Sequence, residues 1–148
     1  MLNELQIDMI MGKVCPYCKG KSEFVDSSVI YGTSYGMIYL CRKCVAYCGV
    51  HKGTRNSLGR LANAELRFWK KEAHKYFDMV WKTEGMDRSE LYKMLSESLL
   101  IPPEYCHIGM FSIITCKQVV EWSKRLLNDL RRLDLDMGVS VQRPHYDI

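Results

Sequence analysis

No apolar run in this 148-residue chain approaches the ~20 residues that a bilayer-spanning helix needs, and no membrane is expected among its partners. No secretory leader is expected, since the stretch from Met1 to Met11 is too short and too acidic for a targeting segment. A reducing, cytoplasmic setting is the expectation. The chain has no carboxylate cluster suited to magnesium, no catalytic motif and no Walker-type phosphate loop, which puts an enzyme last among the function classes. Its cysteines number seven, and an odd total speaks against a disulfide framework. The 47% apolar and 26% charged residues are those of a soluble globular protein, and residues 1–148 are expected to form a single compact unit.

What is present begins with two Cys-x-x-Cys pairs, Cys15-Pro16-Tyr17-Cys18 and Cys41-Arg42-Lys43-Cys44. Each pair can wrap one side of a metal in a tight knuckle, and the 22 residues between Cys18 and Cys41 suit a β-hairpin that brings the knuckles together. One zinc ion per chain is the expected cofactor, held by Cys15, Cys18, Cys41 and Cys44. Four thiolates fill the tetrahedron and leave no open coordination position, so such a zinc staples the fold and does not activate water. The ligands must be deprotonated, so metal binding is coupled to folding and weakens toward acid pH.

The net charge of +4 is unevenly placed. Residues 41–82 hold ten Lys or Arg against three acids, a local balance of +7, which leaves −3 for the rest. A basic face beside a mildly acidic body favours a polyanionic partner. The cations singled out as nucleic-acid or partner contacts are Arg42, Lys43, Lys52, Arg55, Arg67, Lys70, Lys71 and Lys75.

The pattern along the chain predicts an α+β protein: a four-cysteine ribbon over 13–60, about three helices over 61–135, and an irregular tail over 136–148. Met1 to Met11 reads as a short helix or an extra strand. Phe24, Val25, Val29, Ile30 and Tyr31 before a Gly-containing turn, and Met37, Ile38, Tyr39 and Leu40 after it, read as the ribbon hairpin. Tyr31 and Tyr35 in that turn either offer stacking surfaces or pack across the strands, packing being the expectation. Residues 45–60 read as a loop rich in Gly and cations, in which Gly49, Gly53 and Gly59 allow positive φ and the amides could cradle a phosphate near Lys52 and Arg55.

Helical periodicity places Leu66, Trp69, Ala73, Phe77 and Val80 on one face of a helix over 61–81, with Arg67, Lys70, Lys71, His74 and Lys75 forming a basic stripe beside it. A second helix is predicted from a capping box at Asp87-Arg88-Ser89-Glu90 up to Leu99, stopped by Pro102 and Pro103. A third is predicted to start at Thr115, burying Val119, Trp122, Leu126, Leu130 and Leu133 and ending in Arg131-Arg132-Leu133.

Several of these residues form longer motifs: Ala46-Tyr47-Cys48-Gly49-Val50-His51-Lys52-Gly53-Thr54, Leu58-Gly59-Arg60-Leu61-Ala62-Asn63-Ala64-Glu65-Leu66-Arg67, Ala73-His74-Lys75-Tyr76-Phe77-Asp78 and Cys106-His107-Ile108-Gly109-Met110-Phe111. In combination the chain resembles, over roughly residues 13–122, a family of small zinc-finger-containing proteins of bacteria and their phages, a domain of unknown function. The resemblance implies a zinc-binding N-terminal ribbon followed by helices. The family pattern has an aliphatic residue at the position of Cys48 and a proline at that of Ser57, which implies that Cys48 is not an obligatory ligand.

His51, His74, Cys106 and His107 are candidates for a second metal site or a Cys-His nucleophile, against the alternative of hydrogen-bonded structural clamps. Adjacent Cys106 and His107 diverge in most backbones, and the clamp is the expectation for the histidines. Three function classes follow. The first is a non-enzymatic module that binds nucleic acid, or a nucleic-acid-bound protein complex, through phosphate contacts. The second is a zinc-stabilised interaction protein, a homodimer or a subunit docked on a transcription, replication or CRISPR-type defence complex. The third, ranked last, is a metal-dependent nuclease or hydrolase using His51, His74 or His107.

Overall fold

Asn3 starts the first element of the computed structural model, which describes residues 2–136. Its carboxamide accepts from the Gln6 amide at 2.8 Å while the Gln6 side chain accepts from the Asn3 amide at 2.9 Å, so α1 (Glu4–Ile10) is a helix closed by a reciprocal cap. Three antiparallel strands follow in the order β1 (Glu23–Asp26), β2 (Met37–Cys41) and β3 (Ala46–Gly49), with Phe24 opposite Tyr39 and Tyr39 opposite Cys48.

The hairpin differs from its sequence reading in two places. Val29, Ile30 and Tyr31, expected in the first strand, lie in a one-turn helix, α2 (Ser28–Tyr31). The Asp26 carboxylate accepts from the Ser28 amide at 2.8 Å and bends the chain out of the sheet. The third strand runs through what reads as loop, because Ala46 and Gly49 carry no β-propensity. Its pairing with β2 and the burial of Ala46 and Cys48 hold it instead.

Three longer helices complete the α+β architecture: α3 (Ala64–Glu84), α4 (Arg88–Leu99) and α5 (Ile113–Asp136). Asn63 caps α3, its side chain accepting from the Leu66 amide at 3.0 Å. Asp87 caps α4, accepting from the Ser89 amide at 2.9 Å rather than from that of Glu90, so the cap is present without the reciprocal box. α5 begins two residues before Thr115, since Ser112 already occupies the position before the first helical residue, where serine is favoured. Leu133, expected in the core, is exposed. The expected irregular tail, 136–148, lies outside the described residues, except that α5 takes in Asp136.

Two compact units contain the described residues. The first is residues 2–68 with Gly109–Ser112, and the second is Trp69–Ile108 with residues 113–136. In the first, Cys15, Cys41, Ala46, Cys48 and Leu61 form a buried cluster against which Cys18, Tyr39 and Cys44 pack. In the second, Ala73, Phe77, Val80, Leu91, Leu95, Val119 and Leu127 are buried, and the Phe77 and Tyr92 rings meet at 4.4 Å. Trp69, expected in that core, is half-buried, with the Lys117 ammonium 5.0 Å from its ring. Among the described residues no helix is long and apolar enough to cross a membrane.

Candidate metal centre and basic side chains

Each Cys-x-x-Cys pair is folded into a knuckle by its own backbone. In the first, the Cys15 amide donates to the Gly20 carbonyl at 2.8 Å and the Lys19 amide to the Cys15 carbonyl at 2.9 Å, with Lys19 in the left-handed region at φ 65°. In the second, Val45 takes the same position after Cys44 at φ 49°. The Gly20 amide points at the Cys18 sulfur, 3.4 Å away. Donors aimed at sulfur stabilise thiolate, the form that binds metal.

The sheet then brings the knuckles together, because β2 ends at Cys41 while the chain between the pairs makes the hairpin. The four sulfurs of Cys15, Cys18, Cys41 and Cys44 lie within 4.8 Å of one another, and those of Cys18 and Cys41 are 3.6 Å apart. Zinc–sulfur bonds of about 2.3 Å in a tetrahedron put sulfurs about 3.8 Å apart, whereas a disulfide needs about 2.05 Å. The donor set therefore fits zinc and not a bridge.

The thiols of the cluster differ in how readily they give up a proton. The Gly20 amide first, and then the Cys41 thiol, pull Cys18 down to about 7. Burial first, and then the neighbouring thiols, push Cys44 up to about 12. Burial likewise raises Cys41. A cation at the centre would supply the positive charge that all four thiolates need at once.

Among the described residues no second group of three or more His, Cys, Asp or Glu side chains converges in this way. His51 is exposed, and its backbone closes the loop, its amide donating to the Asn56 carbonyl at 2.9 Å. His74 sits on α3 in the second unit, where burial lowers its pKa and the Asp78 charge opposes that shift. Cys106 is buried, its thiol directed at the Tyr92 carbonyl at 3.8 Å, and burial pushes it up to about 11, so it is a thiol at neutral pH. The exposed His107 ring packs on Tyr92 at 5.2 Å beside an open groove of about 490 Å³ that Arg88, Lys93 and Pro103 also line. The Cys48 thiol donates to the Gly59 carbonyl at 3.2 Å and is no ligand, and Cys116 is fully buried.

In the loop expected to cradle a phosphate, 45–60, four of the amides from His51 to Leu58 are engaged within the protein. The amides of His51, Thr54 and Leu58 donate to carbonyls, and that of Asn56 donates to the Thr54 hydroxyl. Gly49 is ordinary strand; only Gly53 and Gly59 take positive φ.

The eight cations divide between the units. In the first, Lys43 and Lys52 are exposed; Arg42 pairs with Glu23 at 2.8 Å on the surface; Arg55 lies over the Phe24 ring at 4.1 Å; and Arg67 lies over Tyr47 at 4.3 Å while donating to the Ala62 carbonyl. In the second, Lys71 and Lys75 are exposed, and Lys70 is half-buried like His74. The stripe on α3 is thus thinner than its spacing suggests.

One further feature has no counterpart in the sequence pattern. Gly59 and Gly109 meet backbone to backbone, the Arg60 amide donating to the Gly109 carbonyl at 2.9 Å and its guanidinium to the Met110 carbonyl at 3.1 Å. The available signal is a glycine in each of two distinctive motifs. The family model of a zinc-finger-containing domain (DUF3268) matches residues 11–126 of the chain. No curated protein and no solved structure matches it.

Proposed function

Since the chain belongs to this zinc-finger-containing family, we propose that it is a non-enzymatic accessory protein in which one structural zinc per chain fixes the ribbon and exposed cations engage nucleic acid or a protein already bound to it. The supporting observation is where positive charge is concentrated: ten Lys or Arg against three acids over 41–82. Of these cations Arg42, Lys43, Lys52, Arg55, Lys71, Lys75 and Lys82 are exposed. The Arg42–Glu23 pair is exposed on both sides, contributes little, and leaves Arg42 able to exchange its carboxylate for a phosphate. Interactions of this kind tolerate sequence and release counterions, so affinity falls with salt.

A second reading, a protein-interaction module that forms a homodimer or docks on a larger complex, is favoured by one feature. Leu133 and Leu135 near the end of α5 are 53% and 79% exposed.

The test is equilibrium binding of the zinc-loaded chain and of its Lys70→Ala/Lys71→Ala variant to labelled single- and double-stranded DNA and RNA. We expect micromolar or tighter binding that the variant weakens, with a log–log salt slope shallower by about 0.7–0.9 for each phosphate that the variant no longer neutralises. A dimer that survives dilution, with no affinity for any nucleic acid, would instead establish the second reading.

A further inference from the structure

Tyr35, at 77% exposure, is the most exposed aromatic side chain among the described residues, yet the turn that carries it is tightly held. The Ser27 hydroxyl, itself buried, accepts from the Tyr35 amide at 2.7 Å, and the Ser27 amide donates to the Gly36 carbonyl at 2.9 Å. The Asp26 carboxylate accepts from the Ser34 hydroxyl at 2.8 Å as well as from the Ser28 amide. Gly32 and Gly36, at φ +75° and +105°, supply the two bends. Loop tips of small polar residues ordinarily fray. This one is pinned by those hydrogen bonds and delivers a ring to water.

The ring belongs to a row. Tyr35 meets Tyr31 edge-on with centroids 5.6 Å apart, and Tyr31 meets Tyr47 edge-on at 5.8 Å, where the Tyr31 hydroxyl donates to that of Tyr47 at 2.8 Å. The Arg67 guanidinium closes the row over Tyr47, spending one of its five N–H donors on the Ala62 carbonyl. Rings with a cation at one end are the chemistry of single-strand recognition, in which bases stack on aromatic faces and a phosphate meets the cation.

We infer that the turn between α2 and β2 is a base-stacking platform for single-stranded nucleic acid, with Tyr35 as its outermost ring. The inference rests on the nucleic-acid reading above and names its substrate class. A protein partner is the poorer fit. An aromatic anchor in a protein interface is sealed by apolar neighbours. Around Tyr35 the turn offers Gly32, Thr33, Ser34 and Gly36, and a Cβ added at either glycine would meet nothing within 4 Å. The neighbouring ring of Tyr31 is itself 50% exposed, so no apolar rim seals Tyr35 among the described residues. A base needs only that open access to a π-face.

The experiment uses the zinc-loaded full chain, a labelled oligothymidylate and a duplex of equal length, across a salt series, with Tyr35→Ala and Tyr35→Phe. Zinc content and circular dichroism confirm that each variant is folded. Tyr35→Ala is expected to weaken single-strand binding about 5- to 150-fold, the range for one stacked base, with an unchanged salt slope and unchanged duplex binding. Tyr35→Phe is expected to retain wild-type affinity, because stacking uses the ring. If the wild type binds nucleic acid in a salt-dependent way and Tyr35→Ala binds single strands equally well, the platform is overturned while the nucleic-acid reading stands. If the wild type binds no nucleic acid, the reading itself has failed. Self-association that disappears in Tyr35→Ala with single-strand binding intact assigns the ring to a protein interface and overturns the platform.

Discussion

A Cβ placed on Gly59 would come within 2.1 Å of the Gly109 carbonyl oxygen, and its φ of +148° is one that side-chain-bearing residues rarely adopt. Placed on Gly109, a Cβ would lie 2.5 Å from the Leu58 carbonyl oxygen. Backbone faces backbone here, with no flexible side chain to yield. Gly59→Ala is therefore expected to destabilise the zinc-loaded protein by about 3 kcal/mol or more, read as a lowered denaturant midpoint. A variant as stable as the wild type would show that the two segments are not fixed on each other. The four cysteines were legible because zinc dictates both residue type and spacing. The glycine pair was not, because its partners are distant in sequence and a glycine carries no mark of what it faces. The histidines show the same limit: residue type suggested a second site, but placement leaves His51 in a loop and puts His107 on Tyr92.

Among the elements, α3 was the most legible, since Leu66, Ala73, Phe77 and Val80 recur at helical spacing and are all buried. β3 was hidden because tertiary pairing overrides the weak propensities of Ala46 and Gly49. Helix ends depend on single side chains, and Asp87 was readable as a cap whereas Ser112 was passed over for Thr115. The C-terminus of α4 breaks the usual rule. Leu100 holds the left-handed position at φ 56° while its side chain is 88% exposed, so it bears backbone strain without a packing return. Leu100→Gly is expected to stabilise the protein by up to about 1 kcal/mol, seen as a Tm raised by a few degrees. A lower Tm would mean that the leucine is covered by something that stabilises it.

Across the whole molecule, the metal and the charge serve different ends. The ribbon unit has a modest apolar cluster, Cys15, Cys41, Ala46, Cys48 and Leu61, of which Cys15 and Cys41 belong to the metal-binding set, so an ion held by the four converging cysteines would be a main source of its stability. Structural zinc contributes about 10–16 kcal/mol of apparent binding energy in small zinc-finger peptides, enough to decide whether such a unit folds. The uneven charge was legible as a count, but which cations remain on the surface was not, because the half-burial of Arg67 over Tyr47 and of Lys70 depends on the fold. If zinc organises the surface that those cations and rings share, metal and binding must rise and fall together. The most direct test is the affinity for a labelled single strand at physiological salt, measured on the zinc-loaded chain, after chelation, and after zinc is restored. Binding that is present with zinc, abolished by chelation and recovered on reloading is the predicted result. Binding that is unchanged by chelation, or absent from the zinc-loaded protein, would contradict the account.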